Sequence, residues 1–153
     1  RLDLATDELE HAYALACQLG DPCWEGMAAR GLGVLNATRG DQATATAWLA
    51  EAHARCTRVT DRYQWISAYI LDAMTTAALD HHDRARAERL VDALAALAAR
   101  GGMRELVVRA HLHRGRLGDP AALGSARLLA AGIDNPALTR LLDGSREGSK
   151  VRP

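Results

Sequence analysis

Gly40-Asp41-Gln42-Ala43-Thr44-Ala45-Thr46-Ala47-Trp48-Leu49-Ala50-Glu51-Ala52 is the stretch on which the fold turns. Its apolar signature, Ala45, Leu49 and Ala52, returns as Ala5, Leu9 and Ala12 and again as Ala87, Val91 and Leu94. Leu9 to Leu49 is 40 positions and Leu49 to Val91 is 42. Self-similarity at such a period marks stacked units, none of which buries its apolar face alone. The Gly40-Asp41 pair at its head has counterparts in His82-Asp83 and Gly118-Asp119, each read as a turn. A stack of repeated helices makes a scaffold or sensing surface more readily than an enzyme.

Working outward, apolar residues recur at i, i+3, i+4 and i+7, as in Leu9, Ala12, Tyr13 and Ala16. The period is helical, and no segment alternates with period two. Helices are predicted over 2–19, 23–39, 42–59, 62–81, 84–100, 103–117 and 120–131, with a short last turn over 137–142. At Gly20-Asp21-Pro22 the glycine ends one helix and the proline opens the next. Short connections make neighbouring helices antiparallel. The expected fold is all-α: about three helical hairpins behind one leading helix, about seven helices in all, over residues 1–142. The Gly/Ser/charged stretch 143–153 is expected to be a disordered tail.

A chain of 153 residues suits one domain with a real core. Hydrophobic residues make up 48% although there is no Phe, so Ala and Leu carry the packing. The 19 basic and 19 acidic residues cancel, which argues against direct nucleic-acid contact by this segment, since phosphate binding rests on excess Lys and Arg. Apolar runs are too short for a bilayer, so no membrane contact is expected. Three cysteines, an odd number, point to a reducing, cytoplasmic setting. Cys17 and Cys56 are read as small buried hydrophobes. The opening at Arg1, already inside a helical pattern, reads as a fragment of a longer protein.

Constellations that could carry chemistry are sparse. His53 and Cys56 stand at i, i+3, but zinc needs further ligands and none falls in step, so a packed Cys beside a surface His is the plainer reading. His53, the doublet His82-Asp83 and a later Asp92 resemble the order found in metal-dependent HD phosphohydrolases, which would make a small helical hydrolase. The repeat instead places His82-Asp83 in a turn whose aspartate caps a helix. His111 and His113, two apart, cannot chelate together on a helix and are read as surface groups. Gly31-Leu32-Gly33 lacks a following Lys-Ser/Thr, so it marks close packing and not a phosphate cradle. No serine lies in a nucleophile elbow. Trp24 and Trp65, at corresponding places in successive hairpins, are read as filling the seam. No catalytic residue, metal or cofactor is assigned.

The run Leu32-Gly33, Asn36, Gly40-Asp41, Ala45, Leu49, Ala52 resembles the tetratricopeptide pattern, with Asn36 and Leu49 where that family carries aromatics. The resemblance implies a right-handed α-solenoid that binds partners on a concave face built from the first helix of each hairpin. Matched positions there are Met27, Arg30, Val34 and Thr38, then Tyr69, Asp72 and Thr76, then Glu105, Val108 and Leu112. Gly102-Met103-Arg104-Glu105-Leu106, Arg109 to His113, Gly118-Asp119 and Ile133-Asp134-Asn135-Pro136 resemble the C-terminal repeats of actinobacterial multidomain regulators. Those are of the LuxR-like or antibiotic-regulatory type with signal-transduction ATPases. That likeness implies a non-enzymatic sensor module taking a protein or peptide partner, or a small-molecule effector. A generic scaffold or homodimerisation module is the alternative.

Overall fold

The computed structural model describes residues 1–58 and 63–147, and every regular element within them is a helix. The order is α1 (Leu2–Leu19), α2 (Pro22–Thr38), α3 (Gln42–Thr57), α4 (Gln64–Asp80), α5 (Arg84–Arg100), α6 (Arg104–Arg116), α7 (Pro120–Ala130) and α8 (Pro136–Glu147). The first seven follow the predicted bounds to within two residues. The eighth is longer than the expected turn, running through Asp143 and Gly144 to Glu147. Its start is fixed by Asn135, whose Oδ1 accepts from the N–H groups of Ala137 and Leu138. Burial of Leu138 beside Val108, Leu112 and Ala126 then anchors it, and such packing sustains helices that composition alone would not. The rest of the predicted tail, 148–153, lies outside the described residues, as do 59–62.

Four connections close in one way. Gly20, Gly40, His82 and Gly118 take left-handed backbone angles, φ +67°, +83°, +58° and +100°. Each is followed by an aspartate (Asp21, Asp41, Asp83, Asp119) whose carboxylate accepts N–H bonds from the first turn of the next helix. His82 thus stands where glycine is otherwise used, and Asp83 is occupied as a cap on Arg86 N–H.

The repeated triplet is the packing element. Ala45, Leu49 and Ala52 are sealed, as are Ala87, Val91 and Leu94, and hiding a leucine such as Leu49 stabilises the fold by about 2 kcal/mol. The first triplet differs: Ala5 and Leu9 are half-buried and Ala12 is exposed. Here the backbone of α1 approaches α2 alone, with Tyr13 reaching across to Trp48 and Glu51, whereas α3 lies between α2 and α4. Glycine brings paired helices together, because a Cβ on Gly33 would stand 2.7 Å from Leu49 Cγ and 3.2 Å from the Ala45 carbonyl oxygen. Cys56 is sealed beneath Gly26, and burial pushes its thiol up to about 11. Cys17, against expectation, is exposed on α1.

Hairpins α2–α3, α4–α5 and α6–α7 stack so that α2 meets α4, α4 meets α6, and α6 meets α8. The backbones of α1, α3, α5 and α7 do not approach one another. The even-numbered helices are therefore the crowded inner row, and α8 continues that row.

Three thermal melts check this account. Ala at exposed Gly124, whose added Cβ meets nothing, is expected to raise stability by about 1 kcal/mol. Relief of the left-handed strain by His82→Gly is expected to do about the same. Gly33→Ala has the same helical gain but should lower Tm through overpacking by roughly 1–3 kcal/mol. A rise in Tm for Gly33→Ala would refute the close contact.

Candidate functional site

Helix α4 is largely apolar but carries a carboxylate at its centre, in Tyr69-Ile70-Leu71-Asp72-Ala73-Met74. A buried charge needs partners. Asp72 is 5% exposed, and α6 supplies what it needs. His113 Nε2 lies 2.7 Å from Oδ1, and Arg109 Nη1 donates to Oδ2 at 3.1 Å. Glu105, one turn before Arg109, holds the same guanidinium at 2.9 Å. Arg116, also on α6, reaches Asp80 on α4. Between α2 and α4 a single bond spans the inner row: Arg30 Nε donates to the Tyr69 carbonyl at 2.9 Å. The same guanidinium lies over the Tyr69 ring, 5.6 Å from its centroid.

Electrostatics follow from this geometry. Burial pushes the Asp72 carboxyl up, but His113 and the guanidinium groups of Arg109 and Arg30 outweigh it and hold the group below the ordinary carboxylate range. Loss of hydration moves Arg30 down from the usual arginine value, against the pull of Asp72. With a proton on Nε2, His113 donates to Asp72 and leaves an acceptor, not a donor, unpartnered at the sealed Nδ1.

The sequence-matched inner-face residues divide into open and closed sets. Val34 and Thr38 are exposed on α2, on the side away from α3, and Met27 is 36% exposed there. Arg30, Tyr69 and Thr76 are half-buried along the same row. The hydroxyls of Thr38 and Thr76 are bonded to carbonyls of their own helices, at Val34 and Asp72. Three residues are withdrawn from the open surface. Asp72 is turned into its ion pairs, while Val108 and Leu112 are covered because α8 seats Leu138 against them.

Other expectations are corrected. His113 is not a surface group but is 7% exposed, held by Asp72. Trp24 and Trp65 do not fill the seam; they are 57% and 46% exposed. Trp48 is the packed tryptophan, edge-on to Tyr13 at 5.1 Å. Sequence reasoning also passed over Glu25, which is buried on α2 and held by Arg55 at 2.7 Å and Arg58 at 3.0 Å. Among the described residues no three His, Cys, Asp or Glu side chains converge as a metal site would. A crevice of about 100 Å³ between α3, α4 and α5, lined by Met74, His81, Asp83 and Arg86 among others, has room for roughly three water molecules.

No protein-family model, curated protein or solved structure matches the chain. No described helix is long and apolar enough to cross a membrane.

Asp72→Asn keeps the shape and removes the charge facing Arg109 and His113, an expected loss of about 3 kcal/mol at neutral pH. The folded carboxyl binds its proton more weakly than the unfolded one. Its contribution is therefore complete above about pH 4 and lost as pH falls through the folded value. Urea unfolding from pH 7 downward is expected to show a steeper acid loss for the wild type than for Asp72→Asn. Equal pH slopes would refute a native carboxylate at this position.

Proposed function

We propose that this chain is a non-enzymatic helical-repeat module of a bacterial transcriptional regulator, and that its inner face takes a protein or peptide partner. The observation that carries the binding part is the placement of exposed apolar and aromatic side chains. Trp24, Met27, Val34 and Trp65 stay open on α2 and α4, the first helices of two successive hairpins, with Tyr63 just ahead of α4. Exposed apolar side chains gathered on one row and set among polar groups are a feature of interaction surfaces. Tryptophans there are residues that anchor partners. The carboxylates of α4 beside this row are engaged in pairs that hold α4 to α6, which favours a scaffold role for them over proton transfer. The regulatory part rests on the likeness of the 102–136 region to the repeats of multidomain regulators.

Photo-crosslinking from Val34 in the native, intact protein tests both parts, with exposed Arg89 on α5 as the control position. Partner adducts are expected from Val34 and not from Arg89, and the intact protein should carry a helix-turn-helix or P-loop ATPase domain. Equal labelling from both positions sinks the inner-face reading. An intact protein with neither domain sinks the regulatory one.

Self-association is the second reading, favoured by Leu4, Leu15 and Leu19, which are exposed on α1 where no further helix covers them. Sedimentation is expected to show dimers for the wild type and monomers for Leu15→Glu. A monomeric wild type at tens of micromolar would remove this reading.

A further inference from the structure

Arg30 is the charged group at the α2–α4 contact that the pairing scheme leaves over. Asp72 has both oxygens occupied, by His113 and Arg109, and Asp80 is taken by Arg116. Glu105 is taken by Arg109. Arg30 uses only Nε, on a backbone carbonyl, and forms no ion pair among the described residues. Its Nη1 and Nη2 make no hydrogen bond there, and neither is among the sealed polar atoms, so both keep contact with solvent. The guanidinium is also held in place, fixed by the Tyr69 carbonyl and stacked on the Tyr69 ring. A half-dehydrated, oriented fork of N–H donors is what bidentate recognition of a carboxylate needs.

The flanks of Arg30 narrow the ligand further. Met27 and Val34 stand at i−3 and i+4 on α2, so they lie one turn below and above the guanidinium on the same side. Both are open to solvent. We propose that Arg30 is an anion anchor on the inner face, taking the carboxylate of an acidic side chain set between two apolar residues of an amphipathic partner helix. This rests on the inner-face reading above and adds the chemistry of the partner: an apolar stripe interrupted by one acid at the turn that meets Arg30. The charge of the site supports it: Asp72 acts on Arg30 through space, but both its oxygens are taken by His113 and Arg109, which leaves the Nη donors of Arg30 to an incoming carboxylate.

Two synthetic amphipathic helices of about 15 residues, each with leucines three before and four after a central Glu or Gln, make the test. Tryptophan fluorescence of the protein reports binding. The Glu peptide is expected to bind the wild type about tenfold more tightly than the Gln peptide. The preference should vanish in Arg30→Gln and persist in part in Arg30→Lys, with added salt reducing it. The wild-type comparison of the two peptides stands even if Arg30→Gln fails to fold. Equal affinity for both peptides, with loss of binding in Val34→Asp, overturns the anchor and leaves the inner face in use. Equal affinity that Val34→Asp does not alter, or binding of neither peptide, overturns the anchor. Crosslinking from Val34 then decides separately whether the inner face is used at all.

Discussion

The contact of α2 with α3 across Gly33 and Leu49 sets the terms for the rest of the molecule. Leu49 sits 2.7 Å from where a Cβ on Gly33 would be, so the two helices can approach only because that atom is missing. Once they do, Leu49 is sealed and its outer side becomes a floor for Ala73 and Ala77 of α4. The next hairpin uses Val91 and Leu94 in the same manner, against Ala68, Leu71 and α6 residues Leu106 and Ala110. Each hairpin is thus both a packed pair and the wall against which the next is laid. The inner row of even-numbered helices follows from this, and so does the line of residues it displays.

Much of this architecture was legible because the repeat is written in small and branched residues whose spacing is set by helix geometry. The turns were legible for a similar local reason: an aspartate following a glycine, or here His82, has little else to do than cap a helix. The exposed end was not. Ala5, Leu9 and Ala12 spell the same word as Ala45, Leu49 and Ala52, yet Ala12 is bare, because burial depends on what lies on the far side. Leu112 fails in the opposite sense: its spacing matches an open groove position, and Leu138 of a later helix covers it.

The inner-face chemistry was half legible. The sequence match marks Asp72 only as a groove position, although an acid in the middle of a largely apolar helix is a sign that a partner must exist. Arg109 could be guessed from Glu105 four residues before it. His113 could not, because its contact with Asp72 joins residues 41 apart on different helices, and a histidine near another in sequence looks like a solvated one. Trp24 and Trp65 misled for the reason given by large aromatics generally: most are packed, and the ones left outside carry no local mark. Their exposure together with Met27 and Val34 is a property of the assembled row.

The four aspartate-closed turns have a kinetic consequence. Each pairs a left-handed residue with a cap that satisfies the next helix start, and neither needs distant contacts to form. Helical hairpins joined in this way have contacts that are close in sequence, so little chain entropy is lost before packing begins to compensate. In a linear array stabilised through neighbours, nucleation can then start at any hairpin and spread in both directions. The order in which the helices form is therefore left open by the topology.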